Sequence, residues 1–189
     1  SANAIIRVGA VQLTTEAAQH VGTGTVAPGL VVANLLNTTV YHFRVLSFAR
    51  SMTGDSDSAP TMPASVLTRP ADPSALTVTT PAAPAGASSL QIGWTDNNPP
   101  TNTPSTFLLE RAQESAPGSG TPGAYAAVAA VPTGVQGGAW SVTDTGLLAN
   151  TTYYYRVSGV NTRPTGMVDP NSGGSSAVIG PVSDTTLPA

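Results

Sequence analysis

The chain has 189 residues, 40% of them apolar, so it is long enough for one large or two small domains with a buried core. Only 9% of residues are charged, against roughly 25% in an ordinary soluble domain, the net charge is −3, and lysine is absent. The sequence has no basic cluster, which argues against nucleic-acid binding. It has no apolar run of ~20 residues, which argues against a membrane span, and no cysteine, which excludes disulfides and thiolate metal sites.

The first half of the chain contains short strand-like runs and little helical periodicity. Residues 5–11 and 64–68 are rich in apolar and β-branched residues and predict strands, and residues 29–33 form a further candidate strand. Residues 14–20 are predicted to form either one helical turn or a loop. Because 17 prolines and 19 glycines interrupt the chain, we expect an all-β fold.

An internal repeat relates the two halves of the chain. Residues 35–45 align without gaps with residues 147–157, with a tyrosine, an arginine and a valine at the same places. The repeat predicts two domains of one type in tandem, at residues 1–69 and residues 70–189. Residues 68–73, which contain two prolines, are predicted to be a stiffened linker.

The second half of the chain predicts seven strands, separated by turns rich in glycine, proline, asparagine and aspartate. In one of them, Leu90, Ile92 and Trp94 alternate with polar or small residues and so share a face. Seven strands at this spacing predict an antiparallel sandwich. The predicted strands are residues 75–80, 89–95, 106–113, 125–131, 139–143, 151–161 and 177–186.

Three motifs in this half resemble the fibronectin type III family. Residues 90–94 have its apolar-x-apolar-x-Trp pattern, residues 109–111 read Leu-Glu-Arg, and residues 142–157 are similar to its E–F corner. The resemblance implies that Trp94 is the central core residue and that Tyr153 is the corner tyrosine, bonded through its hydroxyl to upstream backbone. The expected fold is all-β: two tandem antiparallel Greek-key β-sandwiches of fibronectin type III/immunoglobulin-like type.

The first half matches this family pattern only in part. It contains the corner motif around Tyr41, and residues 5–11 and 29–33 would be its third and fifth strands. Nothing corresponds to the first two strands or to the core tryptophan, so residues 1–69 are predicted to be a partial sandwich. An incomplete sandwich exposes an apolar groove and unpaired strand edges.

Three explanations of the partial domain are open at this point. The chain starts within a domain of a longer protein, or a neighbouring subunit supplies a strand by β-strand addition, or the first half is a smaller, rearranged sandwich. Under the second explanation, the candidate strand-exchange segment contains Ile5, Ile6, Val8 and Val11.

No cluster of side chains in the sequence predicts catalysis. His42 is expected to be an ordinary strand residue, and His20 is expected in a loop without a second histidine nearby. Asp55 and Asp57 indicate an acidic turn rather than a calcium loop, and Glu110 is expected to pair with an arginine or with water. The chain is therefore predicted not to be an enzyme and to use no cofactor or metal.

Two N-x-Thr sequons, at Asn37 and Asn150, lie at the turns that lead into the repeated strands. Both asparagines are candidate glycosylation sites. The alternative is that each one only stabilises its turn, because asparagine side chains bond readily to nearby backbone groups.

The sequence favours a structural subunit of an extracellular fibre or pilus-like filament on the cell surface, assembled by β-strand complementation between subunits. The alternative, which the family resemblance implies, is an accessory or spacer module of a longer secreted glycoside hydrolase, adhesin or phage tail protein. A third hypothesis is carbohydrate binding through Trp140 and Tyr125. The expected partners are copies of the chain in a homopolymer and attached glycans, without nucleic acid.

Overall fold

A computed structural model gives the fold as antiparallel β-strands grouped in two compact units. The first unit contains the described residues up to Thr68, and the second contains those from Arg69 onward. The structure describes residues 3–10, 17–21, 34–49, 56–57, 59, 62, 64–100, 106–129, 132–135, 137–161 and 174–189.

The first unit contains one antiparallel sheet, with its first strand at the centre. β1 (Asn3–Ala10) pairs on one side with β2 (Ala17–Val21) and on the other side with β3 (Val40–Ala49). The far edge of β3 pairs at one end with β4 (Ser56–Asp57) and at the other with β5 (Ala64–Leu67). Both edges of β1 are therefore hydrogen-bonded within the chain.

Part of the segment predicted as a helical turn or loop, residues 14–20, is a strand, and residues 14–16 lie outside the described residues. Residues 17–21 form β2, and His20, which was expected in a loop, pairs with Ile5 of β1. The backbone groups along the edge of β1 need hydrogen-bond partners, and this tertiary requirement overrides a weak local preference for a turn.

The acidic turn expected around Asp55 and Asp57 is also different in the structure. Ser56 and Asp57 form β4, opposite Ala49 and Phe48 of β3, because a strand end with free backbone groups recruits them. Asp55 and the candidate strand at residues 29–33 lie outside the described residues.

The second unit is a two-layer sandwich. Its strands are β6 (Ser74–Thr79), β7 (Ser89–Thr95), β8 (Thr106–Gln113), β9 (Ala126–Ala127), β10 (Thr133–Gly134), β11 (Ala139–Thr145), β12 (Thr152–Val160) and β13 (Ile179–Thr185), with one 3₁₀ turn at Ala85–Ala87. One layer, the β7 sheet, has the order β10–β11–β7–β6; the other, the β8 sheet, has the order β13–β12–β8–β9. Each sheet contains two antiparallel pairs of consecutive strands, and the chain crosses to the other sheet between one pair and the next.

Alternating side chains from both sheets fill one apolar core. In β7, Leu90, Ile92 and Trp94 are at most 2% exposed, whereas Gln91 faces solvent. Burying a large apolar side chain contributes about 1.5–3 kcal/mol, so this alternation fixes which face of each strand points inward. The buried cluster contains Leu90, Ile92, Trp94, Phe107, Leu109, Val142, Leu147, Tyr153, Tyr155 and Val157.

The described strands confirm the predicted all-β, antiparallel fold class, and those of the second unit form a sandwich. Of the described residues in the strand predicted at residues 125–131, Ala126–Ala127 form a strand against β8 and Val128 donates to the Leu109 carbonyl. The short strand β10 was not predicted. It has two residues and turns back onto β11 through Gly137, whose φ is +67°, so it offers no alternation that a sequence pattern could detect.

Strand order in the first unit repeats that of the β8 sheet. The neighbours β5–β3–β1–β2 correspond to β13–β12–β8–β9, and the repeated sequence segments lie at β3 and β12. The described strands of the first unit are thus equivalent to one layer of the second unit.

The edge strands of the second unit are short or irregular. β9 and β10 have two residues each. The register of β6 against β7 is interrupted between Ser74 and Thr77, and β13 contains Pro181 and shifts register against β12. Short edges, irregular registers and proline are features that oppose the addition of a further strand.

Candidate functional site

The same hydrogen-bonded corner occurs before β3 in the first unit and before β12 in the second. The Tyr41 hydroxyl accepts a hydrogen bond from the Leu36 N–H at 2.8 Å, and the Tyr153 hydroxyl accepts one from the Leu148 N–H at 3.0 Å. Both tyrosine rings are buried. Each ring thus packs inside its unit while its hydroxyl holds the preceding turn against the strand.

A threonine after the last strand of each unit closes this corner. Thr68 and Thr186 each donate through Oγ1 to the carbonyl of the corner leucine, at 2.6 Å in both units. The same hydroxyls accept the N–H groups of Thr39 and Thr151, at 2.9 and 3.0 Å. The corner of each unit is therefore locked to the end of that unit's last strand.

Both sequon asparagines lie in these corner turns. Asn37 is half-buried, and its carbonyl accepts a hydrogen bond from Thr39 Oγ1 at 2.9 Å. Asn150 is exposed with a φ of +51°, and its N–H donates to the Leu187 carbonyl at 3.0 Å. Of the two side chains, that of Asn150 is the more accessible to a modifying enzyme.

A polar network around Asp144 joins the two layers of the second unit through their interior. Asp144, from β11, is 5% exposed and accepts from Arg111 Nη1 of β8 at 3.1 and 2.9 Å. It also accepts from the hydroxyl of the fully buried Tyr155 of β12 at 2.9 Å. Burial, reinforced by the neighbouring carboxylate, raises the pKa of Tyr155 above its usual value of about 10, so the phenol remains a donor.

The outer face of the β8 sheet carries an ion pair beside an aromatic ring. Arg156 donates from Nε to Glu110 at 2.7 Å and from Nη2 at 3.1 Å, which confirms the expected pairing of Glu110 with an arginine. The Arg156 guanidinium lies 4.0 Å from the ring centroid of Tyr125. The hydrogen bond to Glu110 raises the pKa of Arg156, and burial raises that of Tyr125.

The aromatic residues considered for carbohydrate binding are engaged with other parts of the second unit. Trp140 is half-buried and stacks on Trp94 with a centroid distance of 6.5 Å and an interplanar angle of 12°. Phe107 contacts both indole rings, at 5.4 and 5.1 Å. Trp140 therefore extends the core, and Tyr125 has one ring face against Arg156.

A second buried carboxylate anchors the loop after β7. Asp96, 2% exposed, accepts from the N–H and Nδ2 of Asn98 at 2.9 and 2.7 Å. Its other oxygen accepts from the Gly137 N–H at 3.2 Å. These bonds connect the loop after β7 to the turn between β10 and β11.

Asp144 and Asp96 were not among the residues predicted from the sequence, although the strand pattern contains a signal for Asp144. Val142 points inward, and a strand alternates with a period of two, so Asp144 has to face the core as well. A carboxylate there needs a partner, and Arg111 shares the inward face of β8 with Leu109.

The candidate strand-exchange residues Ile5, Ile6 and Val8 lie in β1, between β2 and β3, and Val11 lies outside the described residues. Among the side chains that the structure describes, no group of three or more His, Cys, Asp or Glu residues is placed to hold a metal ion. The same part of the chain contains no helix long and apolar enough to cross a membrane.

No protein-family model matches the sequence, and the search of curated proteins finds no relative. Solved structures do match. One of them is the crystal structure of the chicken CNTN1 FN1–FN3 domains, with 13% sequence identity and a TM-score of 0.39 over 98% of this chain. The chain spans 56% of that structure's length.

Proposed function

We propose that the chain is a structural subunit of an extracellular fibre or pilus-like filament, in which subunits join by β-strand complementation. The observation that carries this proposal is the strand order of the first unit, which repeats one layer of the second unit. A sandwich layer is stable when one of its faces packs against another layer. A strand from a neighbouring subunit would contribute to the facing layer of the first unit.

The protected edges of the second unit support the proposal that a neighbouring subunit's strand joins the first unit. Its edge strands are two residues long or irregular, so strand addition there is unfavourable. In the proposed filament, β1 remains between β2 and β3, and residues such as Ile6 and Val8 belong to the accepting sheet. The strand-exchange role predicted for this segment is thus proposed to be that of acceptor.

The bonding of three carboxylates in the second unit supports a structural rather than a catalytic role. Asp144 and Asp96 are occupied by internal donors, and Glu110 is bidentate with Arg156. A general acid, base or nucleophile needs an atom that can reach substrate. These carboxylates instead hold the strands and loops of their own unit.

Supplying the proposed missing strands in the same chain tests the proposal. Residues 71–96, which contain β6 and β7, would be fused ahead of Ser1 through a flexible linker. We expect the unfused chain to form multimers and filaments, seen by light scattering and electron microscopy, and the fused chain to be monomeric. In a matched control, the copies of Leu90 and Ile92 within the insert are changed to Asp, which removes the apolar face of the inserted strand. An unfused chain that is monomeric at every concentration, with a stably folded first unit, would contradict the proposal.

We also propose that the protein acts outside the cell and carries a glycan at Asn150. The exposure of this asparagine and the sequon support the assignment, and Asn37 is the less accessible site. Mass spectrometry of the protein from its natural source should show the added mass on the peptide containing Asn150. An unmodified peptide would refute the assignment without bearing on filament formation.

A spacer module of a longer secreted protein is the second candidate function. The hydrogen bonds of the connecting segment at residues 68–73 favour this function, because Thr68 is bonded into the first unit and Ala71 into the second. A parent protein with a further functional domain, whose activity depends on the distance that this chain spans, would support the spacer role.

A further inference from the structure

The loop that follows β8 in the second unit presents three hydroxyl groups to solvent. Residues 115–121 are all exposed, and the side-chain oxygens of Ser115, Ser119 and Thr121 lie within 3.2 Å of one another. The base of the loop is closed, because the Ser115 N–H donates to the Thr121 carbonyl at 2.9 Å. The three hydroxyls therefore belong to a hydrogen-bonded hairpin that projects from the unit.

The Glu114 carboxylate fixes the backbone on both sides of Ser119. Its oxygens accept from the Gly118 N–H at 2.9 Å and from the Gly120 N–H at 2.7 Å. Ser119 itself donates its N–H to the Ala116 carbonyl at 3.0 Å. Ser119 is thus held in the loop by backbone bonds that do not use its hydroxyl.

The surroundings of Ser119 have room for a bulky group. Its neighbours Gly118 and Gly120 have positive φ, and a Cβ at either glycine would meet no atom within 4 Å. Open space therefore lies beside both neighbours. A group attached to the Ser119 oxygen can extend into solvent without displacing another side chain.

The hydroxyl of Ser119 acts mainly as an acceptor. Its Oγ accepts from the N–H and the Oγ1 of Thr121, at 3.3 and 3.2 Å. The bond in which it donates, to the Thr121 carbonyl, is 3.5 Å long and therefore weak. Replacing the hydroxyl proton by a carbon substituent leaves the oxygen lone pairs in place, so these acceptor bonds can persist.

The charge of the loop selects the kind of group. A phosphate adds a charge of about −1.5 to −2 and requires cationic or unbonded N–H partners. Glu114 is the charged residue of the segment at residues 112–129, and it already occupies the N–H groups of Gly118 and Gly120. A phosphate on Ser119 would be repelled by this carboxylate, whereas a neutral sugar would not.

We propose that Ser119 is a site of O-glycosylation. The Ser119 oxygen attacks the anomeric carbon of a sugar that a glycosyltransferase holds as its glycosyl phosphate or diphosphate. The bond from that carbon to the phosphate oxygen breaks, the phosphate leaves, and the hydroxyl proton passes to a base of the transferase. The site is separate from Asn150, and the inference holds whether or not subunits form filaments.

Peptide mapping of the protein from its natural source tests the site. Cleavage after Glu114 and Tyr125 releases residues 115–125, which contain the three aliphatic hydroxyls but not Asn150. We expect mass spectrometry to show the mass of one or more sugar residues on this peptide, and β-elimination to convert Ser119 to dehydroalanine. An unmodified peptide, a phosphorylated one, or a sugar on Ser115 or Thr121 without one on Ser119 would overturn the proposal.

Two matched variants produced in the same source confirm the position. Ser119→Ala should remove the sugar from the peptide, and Ser115→Ala, which deletes a neighbouring exposed hydroxyl, should retain it. A sugar that persists in Ser119→Ala would show that another residue is the acceptor. Neither variant changes the peptide containing Asn150, so the outcome is independent of the glycan proposed there.

Discussion

Replacing Asp144 by alanine should destabilise the second unit by about 3 kcal/mol. The change leaves the hydroxyl of the fully buried Tyr155 without its acceptor, which costs about 1–3 kcal/mol. It also removes the partner of Arg111, whose side chain is 37% exposed, so water replaces part of that interaction and the loss is nearer 1 kcal/mol. The sum, about 2–4 kcal/mol, overlaps the lower part of the 3–5 kcal/mol range typical of breaking a buried ion pair.

Urea unfolding followed by tryptophan fluorescence measures this loss in the correct unit. Both tryptophans, Trp94 and Trp140, lie in the second unit and stack on each other, so their emission reports that unit alone. Asp184→Asn is the matched control: Asp184 is half-buried and bonds to neutral groups, and we expect a loss below about 1 kcal/mol.

A double-mutant cycle separates the two contributions. Tyr155→Phe should cost about 1–2 kcal/mol in the native background and much less in the Asp144→Ala background, because the acceptor is already gone. Additive effects, or a loss below about 1 kcal/mol for Asp144→Ala alone, would refute the view that the carboxylate ties the two layers together.

Three further predictions concern the second unit. Because folding raises the pKa of Tyr155, the unfolded chain loses the phenol proton at a lower pH than the folded chain does. The free energy of unfolding should therefore fall by up to about 1.4 kcal/mol per pH unit above pH ~10. Urea titrations at pH 8–11 measure this slope, and Tyr155→Phe should remove the contribution of Tyr155 to it. Gly180→Ala should cost more than Gly146→Ala in thermal unfolding, since both glycines have positive φ but only a Cβ at Gly180 meets backbone, 2.7 Å from the Tyr155 carbonyl; equal losses would contradict this. Glu114 accepts from two loop N–H groups, at 2.9 and 2.7 Å, so Glu114→Gln should speed amide exchange in residues 115–121 and leave β12 unchanged.

The filament and spacer proposals make different demands on the same chain. A filament requires the first unit to accept a strand from a neighbour, which the fusion experiment addresses. A spacer requires only that both units fold within a longer chain and separate its neighbouring domains. An unfused chain that stays monomeric would favour the spacer, and multimers that disappear on fusion would favour the filament.

The strand pattern of the second unit could be predicted from the sequence because burial imposes a period of two. Leu90, Ile92 and Trp94 alternate in the sequence and lie together in the core. The repeat containing Tyr41 and Tyr153 predicted equivalent segments, and the structure gives both tyrosines the same hydrogen bond to the residue five positions upstream. These features depend on residues close in sequence, so local pattern is sufficient.

The tertiary structure decided what depends on pairing between distant segments. Residues 17–21 became a strand because β1 offered an edge, and Ser56 and Asp57 became one because β3 did. The partners of Asp144 come from two other strands, so no spacing along the chain could specify them.

The linker shows this division most clearly. The sequence by itself predicted a linker at residues 68–73, stiffened by its two prolines. Only the tertiary structure divided that segment, with Thr68 bonded into one unit and Ala71 into the other, because each bond joins the segment to a residue more than 20 positions away. Local composition therefore predicted a connecting segment, and long-range hydrogen bonds determined which of its residues belong to each unit.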